Sequence, residues 1–253
     1  MLIRYSFICF SLFCCFALSI IFNIFGISRA QASPQDLLNE HEKRFYINAL
    51  GGISIPLQSH FDIKSKDAAT NTQKKMVVNM SKSKMATIEC GYKIDYDTSI
   101  GLSVDLKPHY KMKIDMPDKA GSFHSKANIQ NYMLAFNYNM KKIGDKLQPY
   151  FIVGLGISNI KVKPSHFTDV ASGIRAIDIP SQHISAFAWQ AGIGASFPFN
   201  DTISLVANAK IQMAHNVNIK YKKFDTTKLK LVNEKTSQTF GVGELTLGLQ
   251  LNI

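Results

Sequence analysis

The sequence has few cysteines, a modest share of charged residues and no long apolar run beyond its N-terminal segment, and each shortage excludes a class of protein. Only four of the 253 residues are cysteine, too few and too badly placed for a disulfide framework. Charged residues make up 19% against 46% hydrophobic residues, which excludes an intrinsically disordered chain. Beyond residue 32 no window reaches the roughly 18 apolar residues that indicate a membrane-spanning helix. No heptad repeat is sustained either, so a coiled coil is also excluded.

The N-terminal segment has the pattern of a targeting sequence. A single arginine precedes a mainly apolar run over residues 5–27, and Ala30 and Ala32 supply the small residues that a signal peptidase reads. We therefore expect residues 1–32 to be a signal peptide and 33–44 to be a polar N-terminal extension. The alternative is a retained anchor, because a run of this length could span a bilayer.

From Phe45 onward the hydrophobic period is two, which is typical of β-strands with one apolar face. The clearest segment is 244–253, where every second residue from Leu245 to Ile253 is apolar. Seven other segments alternate in the same way, namely 45–55, 86–96, 99–110, 128–140, 148–158, 183–197 and 202–214.

The connections between these segments alternate between short and long. The long, polar connections are expected to form loops near 56–84, 112–127, 161–182 and 216–236. Tight turns at one end and long loops at the other are typical of a bacterial outer-membrane barrel, and strands of about ten residues cross a bilayer when tilted by ~45°. The sequence therefore predicts an all-β fold, an eight-stranded antiparallel up-and-down transmembrane β-barrel over residues 45–253.

The apolar face could either face lipid or line the cavity of a soluble, lipocalin-like barrel. The polar face is rich in Gly, Ser and Asn, which suits a narrow lumen, whereas Lys and Glu would dominate a solvated exterior. Aromatic residues also share the apolar face beside the short turns, as an interfacial girdle requires. They are Phe45, Tyr96, Tyr138, Phe151 and Phe197. Both features favour lipid on the outside.

With lipid outside, seven charged residues are expected to face the lumen. They are Glu89, Lys93, Asp95, Asp105, Lys107, Lys210 and Glu244. Because unpaired buried charge is unfavourable, we expect cross-strand ion pairs and hydrogen bonds among them. A plugged barrel then follows more naturally than an open channel, and the alternative is that some of these residues lie in water at the strand ends.

Three stretches resemble a known family. They are Arg44-Phe45-Tyr46-Ile47, the fifth strand from Gln148 to Gly156, and the end of the chain from Thr246 to Ile253. In these the chain resembles the eight-stranded outer-membrane barrels that include opacity proteins, the OmpA-type membrane domain and surface antigens of intracellular alphaproteobacteria.

The resemblance implies a place in the bacterial outer membrane, with extracellular loops and both termini in the periplasm. It also implies an assembly signal that the barrel-insertion machinery reads, formed here by Thr246, Gly248, Leu251 and Ile253. The signal departs from the family pattern in two places, because Ile253 stands where phenylalanine is usual and Leu251 replaces an aromatic residue.

Catalytic motifs are absent from the sequence. It contains no G-x-S-x-G, H-E-x-x-H, C-x-x-C or phosphate-binding loop pattern. We therefore expect no enzymatic activity and no cofactor. Six of the seven histidines fall at the long-loop end, where a metal site or pH sensor is conceivable, but no pair has the i, i+2 or i, i+4 spacing that supports ligation.

Two of the expected loops are strongly basic, in a chain whose formal charge is +11. The candidate polyanion-binding residues are Lys64, Lys66, Lys74, Lys75, Lys82 and Lys84 in the first loop and Lys220, Lys222, Lys223, Lys228 and Lys230 in the fourth. Such loops would attract lipopolysaccharide phosphates of the same membrane, or sulfated glycans and acidic proteins of a host. Nucleic acid is not expected as a partner at this location. The alternative is a solvated lysine excess without a partner.

The functional hypothesis is an outer-membrane surface protein whose basic loops act in adhesion, surface contact or antigenic display. The first alternative is a small porin-like channel for solutes or ions. The second is a soluble periplasmic binding barrel.

Overall fold

The computed structural model describes residues 44–57, 60–66, 73–115, 122–144, 146–168, 175–225 and 230–253. The expected signal peptide and nearly all of the expected N-terminal extension lie outside these ranges. Within them, no helix is long and apolar enough to cross a membrane.

The described residues form twelve strands. In chain order they are β1 (Phe45–Pro56), β2 (His60–Lys66), β3 (Gln73–Met80), β4 (Ser83–Lys93), β5 (Thr98–Asp115), β6 (Ser122–Asn139), β7 (Gln148–Val162), β8 (Ser165–Thr168), β9 (Arg175–Ile179), β10 (Gln182–Pro198), β11 (Ile203–Asp225) and β12 (Lys230–Asn252).

Eight of these strands pair in a closed antiparallel ring. The ring runs β1, β4, β5, β6, β7, β10, β11 and β12, and β12 returns to β1 in a register from Tyr46 opposite Asn252 to Pro56 opposite Val242. The remaining strands form two small hairpins, of which β2–β3 pairs with β5 and β8–β9 pairs with β11. The predicted eight-stranded antiparallel up-and-down barrel is confirmed.

The strands extend much further at one end of the barrel than at the other. At one end lie three short connections together with the start of β1 and the end of β12, where Phe45 and Ile253 exchange backbone hydrogen bonds of 3.3 and 2.8 Å. At the other end the strands are much longer than expected, and β11 and β12 have 23 residues each. Paired strand therefore continues through much of the four ranges in which we expected loops.

Two β-bulges explain why this extension escaped sequence analysis. The register shifts between Lys107 and Tyr110 in β5, and between Ala214 and Val217 in β11. Each bulge contains a non-glycine residue in the left-handed region, with φ of 65° at His109 and 57° at Asn216. A bulge adds one residue to its strand, so the face on which each later side chain lies is reversed.

The polarity of the wall reverses at the level of these bulges. On the short-turn side, large apolar side chains such as Leu102, Leu155 and Leu249 point outward and are about half exposed, as a lipid-facing surface requires. An apolar core of sixteen buried residues begins near this level and extends to the other side; fifteen of them lie on ring strands and Ile179 lies on β9. They are Tyr110, Met112, Ala127, Ile129, Met133, Ile160, Val162, Ile179, Ile184, Ala186, Ala188, Ala214, Val217, Tyr221, Phe240 and Val242.

We call this second part of the barrel the crown. It comprises residues 109–115 of β5, 122–130 of β6, 159–162 of β7, 182–186 of β10, 215–225 of β11 and 230–243 of β12, together with β2, β3, β8 and β9. Its outward positions carry exposed polar residues such as Lys111, Lys126, Lys161 and His183. An apolar interior with a cationic exterior is the pattern of a protein folded in water.

Candidate functional site

Four of the charged residues expected in the lumen form one buried network. Lys107 makes an ion pair with Glu244, and Lys210 Nζ lies 3.4 Å from Glu244 Oε2 and 3.8 Å from Asp105 Oδ1. These four side chains are at most 5% exposed. Thr87 Oγ1 donates a hydrogen bond of 2.7 Å to Asp105 Oδ1. Two cations and two anions thus balance across the lumen.

A second polar layer lies nearer the short turns. Tyr46 donates its hydroxyl proton to Glu89 Oε1 over 2.7 Å, and Asn137 Nδ2 donates to the same oxygen over 3.3 Å. Tyr150 donates to Asn208 Oδ1 over 2.6 Å in the same half of the barrel. Large side chains therefore fill the lumen below the ionic network as well.

The remaining two charged residues expected in the lumen lie at its edge or outside it. Lys93 is half-buried at the end of β4. Asp95 is exposed in the turn after β4, where its Oδ1 accepts a 2.9 Å hydrogen bond from the Asp97 N–H. The expectation that Asp95 faces the lumen is corrected, because its carboxylate closes a turn instead. Desolvation, and then the charge of Asp95, raise the pKa of the Asp97 carboxyl above its usual value.

On the other side of the ionic network the buried interior residues are mostly apolar and belong to the core described above. Tyr110, fully buried, donates a 2.5 Å hydrogen bond to Ser54 Oγ and packs edge-on against Phe240 with ring centroids 6.0 Å apart. Within the part of the chain that the structure describes, no group of three or more His, Cys, Asp and Glu side chains could hold a metal ion.

The lysines expected to bind polyanions lie mainly on strands rather than in loops. Lys82, Lys84, Lys220 and Lys222 are exposed. For six others the structure describes only the backbone, which places Lys64, Lys66, Lys74 and Lys75 in the β2–β3 hairpin, Lys223 in β11 and Lys230 at the start of β12. Lys228 lies outside the described residues.

Sequence analysis missed a further set of exposed crown lysines. The set comprises Lys111, Lys113, Lys126 and Lys161, with Lys163 just beyond β7. They escaped notice because each strand carries only one or two, and only closure of the barrel brings them to one level. The register places Lys111 opposite Lys126, and Lys220 opposite Lys235. Like charges directly opposite each other in a sheet repel, so this surface is suited to an anionic partner.

The residues of the expected assembly signal all lie on β12 or directly after it. Thr246 is buried inside, whereas Leu251 and Ile253 are exposed on the outside. Gly248 lies against the β1 backbone, where an added Cβ would stand 2.0 Å from the Ala49 carbonyl oxygen. The glycine therefore permits the closing strands to approach each other.

Comparisons with known proteins agree with this architecture. A family model for the outer membrane protein beta-barrel domain matches residues 23–249. The uncharacterized protein RP788 of Rickettsia prowazekii (strain Madrid E) is 28% identical over 170 residues, which covers 62% of this chain and 93% of that protein.

Two solved structures share the fold. Neisserial surface protein A is 14% identical with a TM-score of 0.50, over 83% of this chain and 97% of that one. The outer membrane protein OprG from Pseudomonas aeruginosa is 12% identical with a TM-score of 0.51, over 83% of this chain and 95% of that one. The family implies the bacterial outer membrane, where lipid surrounds the outward apolar belt. Because the family model matches nearly the whole length of the barrel, the chain belongs to the outer membrane protein beta-barrel domain family.

Proposed function

We propose that the barrel anchors the crown at the cell surface, where the basic outer face of the crown binds polyanions in adhesion or surface contact. The observation that carries the proposal is the length and polarity of the long strands. About 9–11 residues of a tilted strand cross a bilayer, whereas β11 and β12 have 23 each. Roughly half of each strand is thus left for a structure outside the lipid.

The folded state of the crown supports a binding role. Its lysines project from strands whose opposite face is packed in the apolar core, for example Lys220 and Lys222 on either side of buried Tyr221. A surface that is ordered before binding loses less conformational entropy than a flexible loop does. Clustered positive charge also accelerates encounter with an anionic surface.

The proposal places the crown outside the cell and the short turns and both chain ends in the periplasm. An impermeant amine reagent applied to intact cells should then modify crown lysines such as Lys126 and spare Lys141 and Lys142, which are exposed beside a short turn. Labelling of the turn lysines alone would show that the orientation is the reverse of the proposed one.

A porin-like channel for solutes or ions is the competing function, and the packing of the lumen does not favour it. The polar layer, the ionic network and the apolar core follow one another along the barrel axis, and Asp105, Lys107 and Glu244 are at most 2% exposed. We expect the folded protein to give no steady single-channel conductance in a planar bilayer. A reproducible conductance from inserted protein would favour the channel instead.

The binding role is tested by exchanging exposed lysines at the two ends of the barrel. Wild-type protein folded in phospholipid vesicles should bind heparin or lipopolysaccharide with an affinity that falls as salt rises, because salt screens exposed charges. The crown triple should bind several-fold more weakly than the wild type. It combines Lys111→Gln, Lys126→Gln and Lys161→Gln.

The matched control removes the same charge from the other end. The turn triple combines Lys141→Gln, Lys142→Gln and Lys146→Gln, all at exposed positions. It should bind both polyanions like the wild type. Salt-insensitive binding, or equal loss in the two triples, would reject a role for the crown.

A further inference from the structure

A pocket of about 430 Å³ opens on the crown beside the β11–β12 hairpin. Its size falls within the range of ~300–1,000 Å³ typical of small-ligand sites. The residues that line it are Pro180, Lys220, Tyr221, Lys222, Asn233 and Lys235. Half of its lining residues are therefore cations.

The strand register brings the polar lining residues together as two cross-strand pairs. Lys220 lies opposite Lys235, and Lys222 lies opposite Asn233. All four are exposed, and directly opposed residues have Cβ atoms about 4.5–5.5 Å apart. An anion seated among the three ammonium groups would replace their mutual repulsion with attraction.

The backbone around the pocket is held in place from two sides. Gln182 Nε2 donates to the Lys220 carbonyl over 3.0 Å, and the Lys220 N–H donates to Gln182 Oε1 over 2.9 Å. This reciprocal pair fastens the start of β10, and with it Pro180, to β11. Tyr221 is buried in the crown core, which fixes the strand that carries the two lysines. The lysine side chains therefore project from a rigid base.

The three lysines of the lining outnumber the two carboxylates next to them along the strands, Asp178 on β9 and Glu234 between Asn233 and Lys235 on β12. Asp178 of β9 is half-buried and lies opposite Lys222 in the pairing of β9 with β11. It therefore offsets part of the positive charge on that side of the pocket. Lys220 and Lys235 form the other pair, and the Asn233 amide adds a neutral hydrogen-bond donor.

We propose that this pocket binds a phosphate or sulfate monoester of a glycan. This inference rests on the proposed function and narrows it from the whole crown to one subsite. Lysine acts as a compact point charge with several donors, which suits a tetrahedral anion of either kind. The same chemistry is offered by the phosphorylated sugars of lipopolysaccharide and by sulfated glycans of a host.

The test compares two triple variants that lose the same charge from the crown. The pocket triple combines Lys220→Gln, Lys222→Gln and Lys235→Gln, and the crown triple defined above is its control. Each is folded as the full chain in vesicles and titrated with heparin oligosaccharide and with lipopolysaccharide. Desulfated heparin and dephosphorylated lipopolysaccharide serve as ligands without the anionic group.

A specific subsite predicts that the pocket triple weakens binding about tenfold or more, since three charge-assisted contacts are lost, while the crown triple weakens it only several-fold. Dependence on phosphate identifies lipopolysaccharide as the ligand source, and dependence on sulfate identifies a host glycan. Equal weakening by the two triples would overturn the proposal of a specific subsite at the pocket, while the proposed role of the whole crown would stand. Wild-type binding by both triples would overturn the pocket and the proposed function together.

Insertion of the pocket triple is measured separately from its binding. Trp189, the one tryptophan of the sequence, lies on β10, so its emission reports insertion of each variant. A second variant, Asn233→Asp, places a carboxylate at the pocket without removing a lysine. It should weaken anion binding as well, and unchanged binding by a correctly inserted variant would contradict the proposal.

Discussion

Replacement of Glu244 by glutamine should destabilise the barrel strongly, because this carboxylate serves two buried cations. It pairs with Lys107 and lies 3.4 Å from Lys210 Nζ. In Glu244→Gln, Lys210 keeps Asp105 at 3.8 Å, but Lys107 loses its anionic partner. Glutamine has nearly the same shape as glutamate, so the change removes charge without opening a cavity.

The magnitude follows from burial. Removing one partner of a buried ion pair costs about 3–5 kcal/mol, because the other charge stays desolvated and uncompensated. The full penalty applies here, since both side chains are 0% exposed. Stabilities of folded domains are typically about 5–15 kcal/mol, so this one substitution should remove a large share of the total.

The assay is a urea titration of the protein in phospholipid vesicles, followed through the emission of Trp189. The double variant Glu244→Gln with Lys107→Gln restores the balance of charge, and it should recover about 2 kcal/mol or more of the loss as a coupling energy. A single-variant loss below about 1 kcal/mol with no measurable coupling would refute the view that paired charges hold the lumen closed.

Two further predictions use matched pairs of substitutions. Leu249→Lys should destabilise the barrel by about 2–4 kcal/mol and impair insertion, because Leu249 is on the outward apolar belt. The control, Phe199→Lys at a short turn, should destabilise it by only about 0–1 kcal/mol. Equal stabilities of the two variants in the urea titration would contradict the lipid-facing orientation. Gly248→Ala should destabilise the barrel by about 1–3 kcal/mol, since the new Cβ meets the backbone of β1 at Ala49. Gly51→Ala should be neutral, because no atom lies within 4 Å of a Cβ added there. If both variants are as stable as the wild type in the same titration, the two strands separate easily.

Within the lipid, sequence pattern was sufficient to predict the fold. Lipid on one side and a narrow lumen on the other force strict alternation, so 244–253 and 202–214 could each be assigned a strand and an outward face. The same parity placed Asp105, Lys107, Lys210 and Glu244 on the lumen side. Their pairing could not be read from the sequence, because it depends on which strands adjoin across the closed ring.

Outside the lipid, sequence pattern failed for identifiable reasons. A residue at a strand end, such as Asp95, has the same parity whether it enters the lumen or turns back to cap the backbone. The pocket at Lys220 and Lys235 depends on the cross-strand register and on the hydrogen bonds of the Gln182 side chain to the Lys220 backbone. Neither can be predicted from the periodicity of the sequence. Lysine-rich segments favour loops, because polar residues usually mark connections, but here several of them continue the strands.

The two bulges show how one alternating sequence can serve lipid and water in turn. In β5 the apolar residues stay at even positions from Ile100 through Leu106 to Tyr110, and in β11 most odd positions from Ile203 to Tyr221 are apolar, with His215 at the bulge as the exception. Without a bulge these residues would face outward along the whole strand and give the crown an apolar outer surface. The extra residue at each bulge turns the same series inward, so side chains that contact lipid below the bulge build the core of the crown above it. In β5 and β11 the bulge therefore lies where the outward face changes from apolar to polar, as the proposed function requires of strands that leave the lipid.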